Sequence, residues 1–290
     1  SDFVNRHFYN HQNQSSYQPN ETDDVLTHIK NLWPELTVTN RRNRGSLLSL
    51  PYPYVVPGGR FREQFYWDSY FIMVGLAAEG QWSTIEGMMK NYAYMIRKFS
   101  FIPTANRSYF LSRSQPPFFS HMVELLSQQK GGSTLIEYLP YMLSERLFWM
   151  KGEKKLSKNT SAKRRVVRVG SGGILNRYYD NKQSPRPESH DEDIETANEA
   201  KATEASKVYV HLRAAAESGW DFSSRWFKDP ADIRTIHTTD ILPVDLNCLL
   251  YHLDMTIAKT YRILKQKRLE RTYRRAAEKR AKLIQETFWS

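Results

Sequence analysis

PGGRFREQFYWDSYFIMVGLAAEG, residues 57–80, joins a loop of unusual chemistry to a helix without a break. Gly58 and Gly59 let the backbone approach another group closely. Arg60, Asp68 and the ring faces of Phe61, Phe65 and Trp67 then crowd the start of the helix. From Glu63 to Glu79 aromatics and aliphatics fall on most faces, which predicts a largely buried helix ended by Gly80.

Working outward, helical signals dominate. Asp23–Trp33 is a short amphipathic candidate stopped by Pro34. Ser83 and Glu86 form a capping-box pattern ahead of Met88, Met89, Tyr92, Met95 and Ile96. Pro116-Pro117 opens a helix that runs to Gly131-Gly132, and Thr134 with Glu137 suggests another box before a stretch ending near Met150. Two further helices are predicted, Glu195–Ser218 and then Leu246 onward. The one convincing strand signal is a β-hairpin with a loose turn at 170–173, spanning Val166–Tyr179. Helices arriving in pairs suggest an all-α toroid or solenoid, although no sequence repeat is visible.

The 290 residues, 40% hydrophobic and 25% charged, describe a globular chain the size of one large domain or two ordinary ones. The longest uncharged apolar stretch, Tyr70–Ala78, falls far short of the ~20 residues of a membrane span. The single Cys248 excludes an intramolecular disulfide. It suits a reducing compartment and hence a cytoplasmic location, with the periplasm as the alternative if a signal segment has been removed before Ser1.

The formal charge is +11, of which +9 belongs to the segment Lys259–Lys282. The spacing of Ile257, Tyr261, Leu264, Leu269, Tyr273, Ala277, Leu283 and Phe288 makes that segment a basic amphipathic helix. It could serve RNA or a membrane surface. With no aromatic or Gly-rich nucleic-acid motif beside it, a solvated face with an apolar stripe packed on its neighbours is the better reading.

Four more loops carry more than turn chemistry: Ile102–Phe119 (with Asn106 and SRSQPP at 112–117), Pro185–Ser189 (PRPES), Ala214–Trp226 (AAAESGWDFSSRW) and Thr238–Asn247 (TTDILPVDLN). Arg, amide and carboxylate side chains interleaved with Trp and Phe suit a sugar. Hydroxyls need fixed donors and acceptors, and the C–H face of a pyranose sits on aromatic rings. Helix caps and core tryptophans would explain any single loop, but hardly several with the same chemistry. His7 and His11 share HxxxH spacing without a near third ligand, and no Walker or Rossmann glycine pattern is present. Neither metal nor cofactor is expected.

In this order the five blocks resemble the trehalases, glycoside hydrolases that split α,α-trehalose into two glucoses with inversion. Residues 57–70 nearly reproduce the family pattern PGGRFxExYxWDxY, with Phe65 where the pattern has Tyr. The resemblance implies an (α/α)6 toroid. One domain would occupy 1–290, incomplete at its C-terminus, with a small insertion at 163–190 that holds the hairpin. It implies that Arg60, Phe61, Trp67, Asp68, Asn106, Arg113, Ser114, Gln115, Arg186, Pro187, Glu188 and Gly219 line the glucose subsites. Asp221 would be the general acid.

Inversion also needs a base that activates water on the opposite face of the sugar. The family draws it from a late Glu beyond a QWDxPxxWxP signature, and neither occurs here. The chain therefore resembles roughly the first two-thirds of a trehalase, with doubtful activity alone. The expected ligand is trehalose, without nucleic acid or membrane partners, and the complete protein is expected to be a monomer. A sugar-binding protein without turnover, and less plausibly a basic helical scaffold, are the alternatives.

Overall fold

The structure is a computed structural model that describes residues 18, 20–170, 172–201 and 203–289. His7 and His11, with their HxxxH spacing, lie outside the described residues, as does Ser171 of the 170–173 turn.

Among the described residues nine helices carry the fold: α1 (Val25–Leu36), α2 (Tyr66–Ala78), α3 (Trp82–Phe99), α4 (Phe119–Lys130), α5 (Ser133–Trp149), α6 (His190–Glu199), α7 (Ala205–Glu217), α8 (Val244–Ile263) and α9 (Lys267–Phe288). Two small antiparallel sheets accompany them. β1 (Thr37–Val38) pairs with β2 (Tyr54–Val55), and β3 (Ala162–Lys163), β4 (Val166–Val169) and β5 (Gly173–Asn176) lie in that order. The expected hairpin is thus a three-stranded sheet, because Ala162 and Lys163 pair with Val167 and Val166.

α2, α4 and α8 form an inner row, with α4 touching both of the others, while α3, α5 and α9 lie outside them. Met73, Met88, Tyr92, Phe119, Met142, Leu250 and Ile257 fill the space between the rows and are fully or almost fully buried. Tyr66 ties three helices together. Its hydroxyl donates to Glu145 on α5 and accepts the Phe119 N–H of α4 at 2.9 Å. A second polar knot joins β5, α8 and α9. Asn247 donates to the Asn176 carbonyl at 2.9 Å, and Arg280 donates to both side-chain amide oxygens at 3.0 and 2.9 Å.

Several local expectations are corrected. α1 runs through Pro34 and ends at Leu36, because a proline in the last turn forfeits only its own N–H bond. α2 begins at Tyr66 rather than Glu63, and it is not buried all round: Phe71 is 57% and Val74 44% exposed. Neither capping box forms, since Gln81 and Gly132 are the N-caps and Ser83 and Thr134 sit inside α3 and α5. The predicted Glu195–Ser218 helix is two, α6 and α7, with Lys201 between them in the left-handed region at φ 47°. The helix from Leu246 likewise splits into α8 and α9 at Lys265, φ 57°. Leu269, Tyr273 and Ala277 of α9 face the core, and Tyr273 stacks on Tyr261 of α8 at 5.5 Å. The basic segment is therefore a packed helix with a solvated outer face. Among the described residues no helix is long and apolar enough to cross a membrane.

Candidate active site

Four of the five loops converge on a cavity of 540 Å³, whereas Thr238–Asn247 gives it no lining residue. Its floor is set by the start of α2. There the Tyr66 N–H donates to the Thr104 carbonyl at 2.9 Å and the Trp67 N–H to Gln115 Oε1 at 3.1 Å, locking the first loop onto the second. Gly219 lies against the Trp67 indole with φ 71°; a Cβ there would come within 2.6 Å of Trp67 Cε2. Only glycine fits both the backbone conformation and that approach. Trp220 then meets Trp67 with ring centroids 5.9 Å apart.

Arg113 and Arg186 reach the cavity as buried, paired guanidiniums. Arg113 donates to Glu188, lies 3.9 Å from Asp180 and sits over the Phe110 ring at 5.1 Å. Its Nε and Nη1 are buried and have no hydrogen-bond partner among the described residues. Arg186 is held by Asp193, to which its Nη2 donates at 2.6 Å and its backbone N–H at 2.7 Å. Arg60 stands exposed at the rim over Phe61, 5.5 Å from the ring centroid. Glu188 does pair, but among the described residues no guanidinium pairs with Asp68.

Beneath the wall lies Glu217, fully buried at the end of α7. It accepts the Ser114 N–H at 2.9 Å and the Tyr179 N–H at 2.8 Å, and it pairs with Arg165. Asp180 does the same for Ser112 and Arg213, accepting from each at 2.9 Å. These carboxylates fix the Arg113 and Arg186 loops from behind. Sequence reasoning missed them, because a lone acid at a helix end or in a loop carries no spacing signal.

Two carboxyl groups face the cavity without an ion pair among the described residues, Asp68 and Asp221. Burial among the walls raises both above the usual carboxylate range. Asp221 adds to the rise at Asp68, while Arg186 and Arg113 partly offset the rise at Asp221. Asp221 is not packed into protein; it is open to the cavity space. A carboxyl with raised proton affinity, open to a ligand and beside two cations, can give up a proton to a leaving oxygen.

Of the residues expected at the site, Arg60, Phe61, Trp67, Asp68, Arg113, Gln115, Arg186, Glu188, Gly219 and Asp221 line the cavity. Asn106, Ser114 and Pro187 do not. Asn106 is wholly buried, accepting the Gln64 N–H at 2.9 Å and donating to the Leu48 carbonyl at 2.8 Å. Ser114 is spent on Glu217 and on the Ile102 carbonyl, and Pro187 opens the 3-10 turn that carries Glu188. Tyr109 lines the cavity unforeseen. Among the described residues no cluster of three or more His, Cys, Asp or Glu side chains could hold a metal ion.

Comparison with known proteins bears on the family and the fold. The trehalase family profile matches residues 4–290. The chain is 47% identical to a periplasmic trehalase of Pseudomonas aeruginosa over 289 residues, 99% of this chain and 53% of that protein. It is 46% identical to a periplasmic trehalase of Escherichia coli over 290 residues, 51% of that protein. A solved structure of the neutral trehalase of Saccharomyces cerevisiae superposes with a TM-score of 0.62 at 26% identity, covering 82% of this chain and 46% of that one. The paired inner and outer helices are accordingly those of the (α/α)6 glycosidase class. The chain spans about half the length of the curated relatives it matches, rather than two-thirds. With the profile covering nearly every residue, the chain belongs to the trehalase family.

Proposed function

We propose that this chain supplies the acid half of an active site that hydrolyses α,α-trehalose with inversion, within a single (α/α)6 domain whose 163–190 segment is an insertion. The glucose rings rest on Trp67 and Phe61. Arg113, Arg186 and Gln115 take the hydroxyls, with Asp68 and Glu188 as acceptors. Asp221 protonates the glycosidic oxygen as the bond to the anomeric carbon breaks. Water enters from the opposite face and loses its proton to a general base that we assign to no residue of 1–290. Each turnover consumes one water and returns two glucoses.

The observation that supports this most is the raised, cavity-facing carboxyl of Asp221 between the Arg113 and Arg186 guanidiniums and the Trp67–Trp220 pair. For the compartment we favour the periplasm over the cytoplasm, because the P. aeruginosa and E. coli relatives carry that description.

The test uses the full-length protein. Asp221→Asn is expected to lower glucose release about 10²–10⁴-fold, the worth of one positioned acid, with trehalose affinity by calorimetry retained. Undiminished turnover would remove Asp221 from its role. Residues 1–290 alone are expected to bind trehalose with little turnover. Full activity there would place a base among Asp68, Glu188 and Asp240.

A further inference from the structure

A second cavity, 710 Å³ and so larger than the first, opens on the outer side of the wall that carries Arg113. The two share a thin partition. Phe110 and Arg113 line the first, while Leu111 and Ser112 between them line the second. The second lies between the C-terminal ends of α3 and α5 and the bend between β3 and β4. α3 packs on α2, α4 and α5, and α5 packs on α3, α4 and α8.

Its charge is one-sided. Lys151, Lys154, Lys155 and Arg164 line it and form no ion pair among the described residues; Glu153 is the one carboxylate in the lining. The two remaining cations, Arg146 and Arg165, are already held by Asp254 and Glu217. Lys154 and Lys155 sit on a 3-10 turn, Glu153–Lys155, opened by Gly152 at φ 110°, and Lys151 directly precedes it. Gly152 lies so close to Lys163 that a Cβ would meet its carbonyl oxygen at 3.2 Å. Arg164, itself at φ 53°, sits at the bend between β3 and β4.

The rest of the lining is mixed: Phe99, Phe101, Leu111, Leu147, Phe148 and Met150 are apolar, and Ser100, Ser112, Ser144 and Asn181 are polar. Phe101 and Phe148 stack in parallel, 4.5 Å between centroids and 3° between planes, and the Arg165 guanidinium covers Phe148 at 4.0 Å. Leu147 stands 69% exposed beside them. Solvated lysines need no cavity, and an apolar cavity needs no four free cations. The combination fits one ligand with two ends.

We propose that this cavity binds a small organic phosphate, the phosphate at Lys151, Lys154, Lys155 and Arg164 and an apolar body against Phe101 and Leu147. A phosphate monoester carries about −1.5 to −2 at neutral pH with three acceptor oxygens, which matches several cations better than a monoanion does. Lysines serve it as point charges and arginine as a fork. The inference stands on residues separate from the sugar site and survives if the hydrolase reading fails.

Calorimetry on the full-length protein at near-physiological salt tests it, with adenosine 5′-monophosphate, adenosine and inorganic phosphate as probes. The monophosphate is expected to bind saturably at one site. Adenosine and inorganic phosphate should each bind at least about tenfold more weakly. Lys154→Glu with Arg164→Glu, both at the surface, should weaken the monophosphate about tenfold or more. Arg268→Glu with Arg271→Glu, the same charge change on the exposed face of α9, should leave it within about twofold. Equal weakening by the two pairs would show diffuse attraction and overturn the site, as would a lack of saturable binding. Inorganic phosphate binding as tightly as the monophosphate would overturn the apolar half of the proposal.

Discussion

Arginines stand in two very different settings in this molecule. Behind the active-site cavity Arg113, Arg165, Arg186 and Arg213 are almost wholly buried, and each is held by a carboxylate: Glu188, Glu217, Asp193 and Asp180 respectively. Along α9 Arg268, Arg271 and Arg275 are exposed to water, and Arg274 shares Glu270 with Arg262 of α8, at 2.9 and 2.8 Å, near the surface. The basic helix dominates the net charge and packs as an ordinary outer helix. The buried set is nearly neutral and builds the cavity wall. Arg280 is the exception on α9: buried and bonded to the amides of Asn176 and Asn247 rather than to an acid, it is pushed down to about 10 by burial. What separates the settings is burial with pairing, a property that a count of charges does not contain.

The comparison breaks most clearly at Arg165. Arg165→Ala leaves Glu217 charged and unpaired in the interior, and it is expected to cost about 3–5 kcal/mol in urea unfolding. A loss under about 1 kcal/mol would place the pair with ordinary surface pairs. The Ser114 and Tyr179 backbone N–H groups would then be what holds the loops.

Glu145 sharpens the comparison from the opposite side, as a buried carboxylate whose bonded partner is the Tyr66 hydroxyl and not a guanidinium. Burial pushes it up to about 8. Between pH 4.5 and 8 the folded chain keeps a proton that the unfolded chain has released. Raising the pH therefore favours unfolding, and the stabilisation present in full below 4.5 is lost as pH approaches 8. The slope from this group is expected to be roughly 1 kcal/mol per pH unit. Glu145→Gln should flatten it in denaturant titrations across that range; an unchanged slope would mean the carboxyl is ionised in the folded protein.

Gly219 comes next. An alanine there must adopt φ 71° and push the Trp67 indole aside, which is expected to cost about 1–3 kcal/mol. Trehalose affinity should fall with it, because Trp67 is a floor of the cavity. Retained affinity in the face of lost stability would separate the glycine's structural role from its role at the site.

The sequence made the helices legible wherever apolar spacing was regular, and it missed their breaks. Lys201 and Lys265 end α6 and α8 near the left-handed region, where Gly or Asn is the readable signal and a lysine gives none. Pro34 misled in the other direction, because a rule for helix interiors does not hold in a last turn. The cavity-facing arginines, aromatics and Asp221 were legible through ordered blocks of sequence. Asp180, Asp193 and Glu217 were not. Asp193 is one of four acids between 191 and 195, and chain folding alone brings it, among them, against Arg186.

The smallest expected effect lies at the other end of the comparison. Glu270 accepts from Arg262 and Arg274 and is held below the usual carboxylate range, first by the Arg262 hydrogen bond and then by that of Arg274. On distances alone it looks as well paired as the acids behind the cavity. Its environment differs: water competes for all three groups, and salt screens what remains. Glu270→Ala is therefore expected to leave the thermal midpoint nearly where it was at physiological salt and to lower it slightly at low salt. If it destabilised the protein as much as Arg165→Ala, distance rather than burial would be the useful measure of an ion pair here, and the contrast between α9 and the cavity wall would lose its basis.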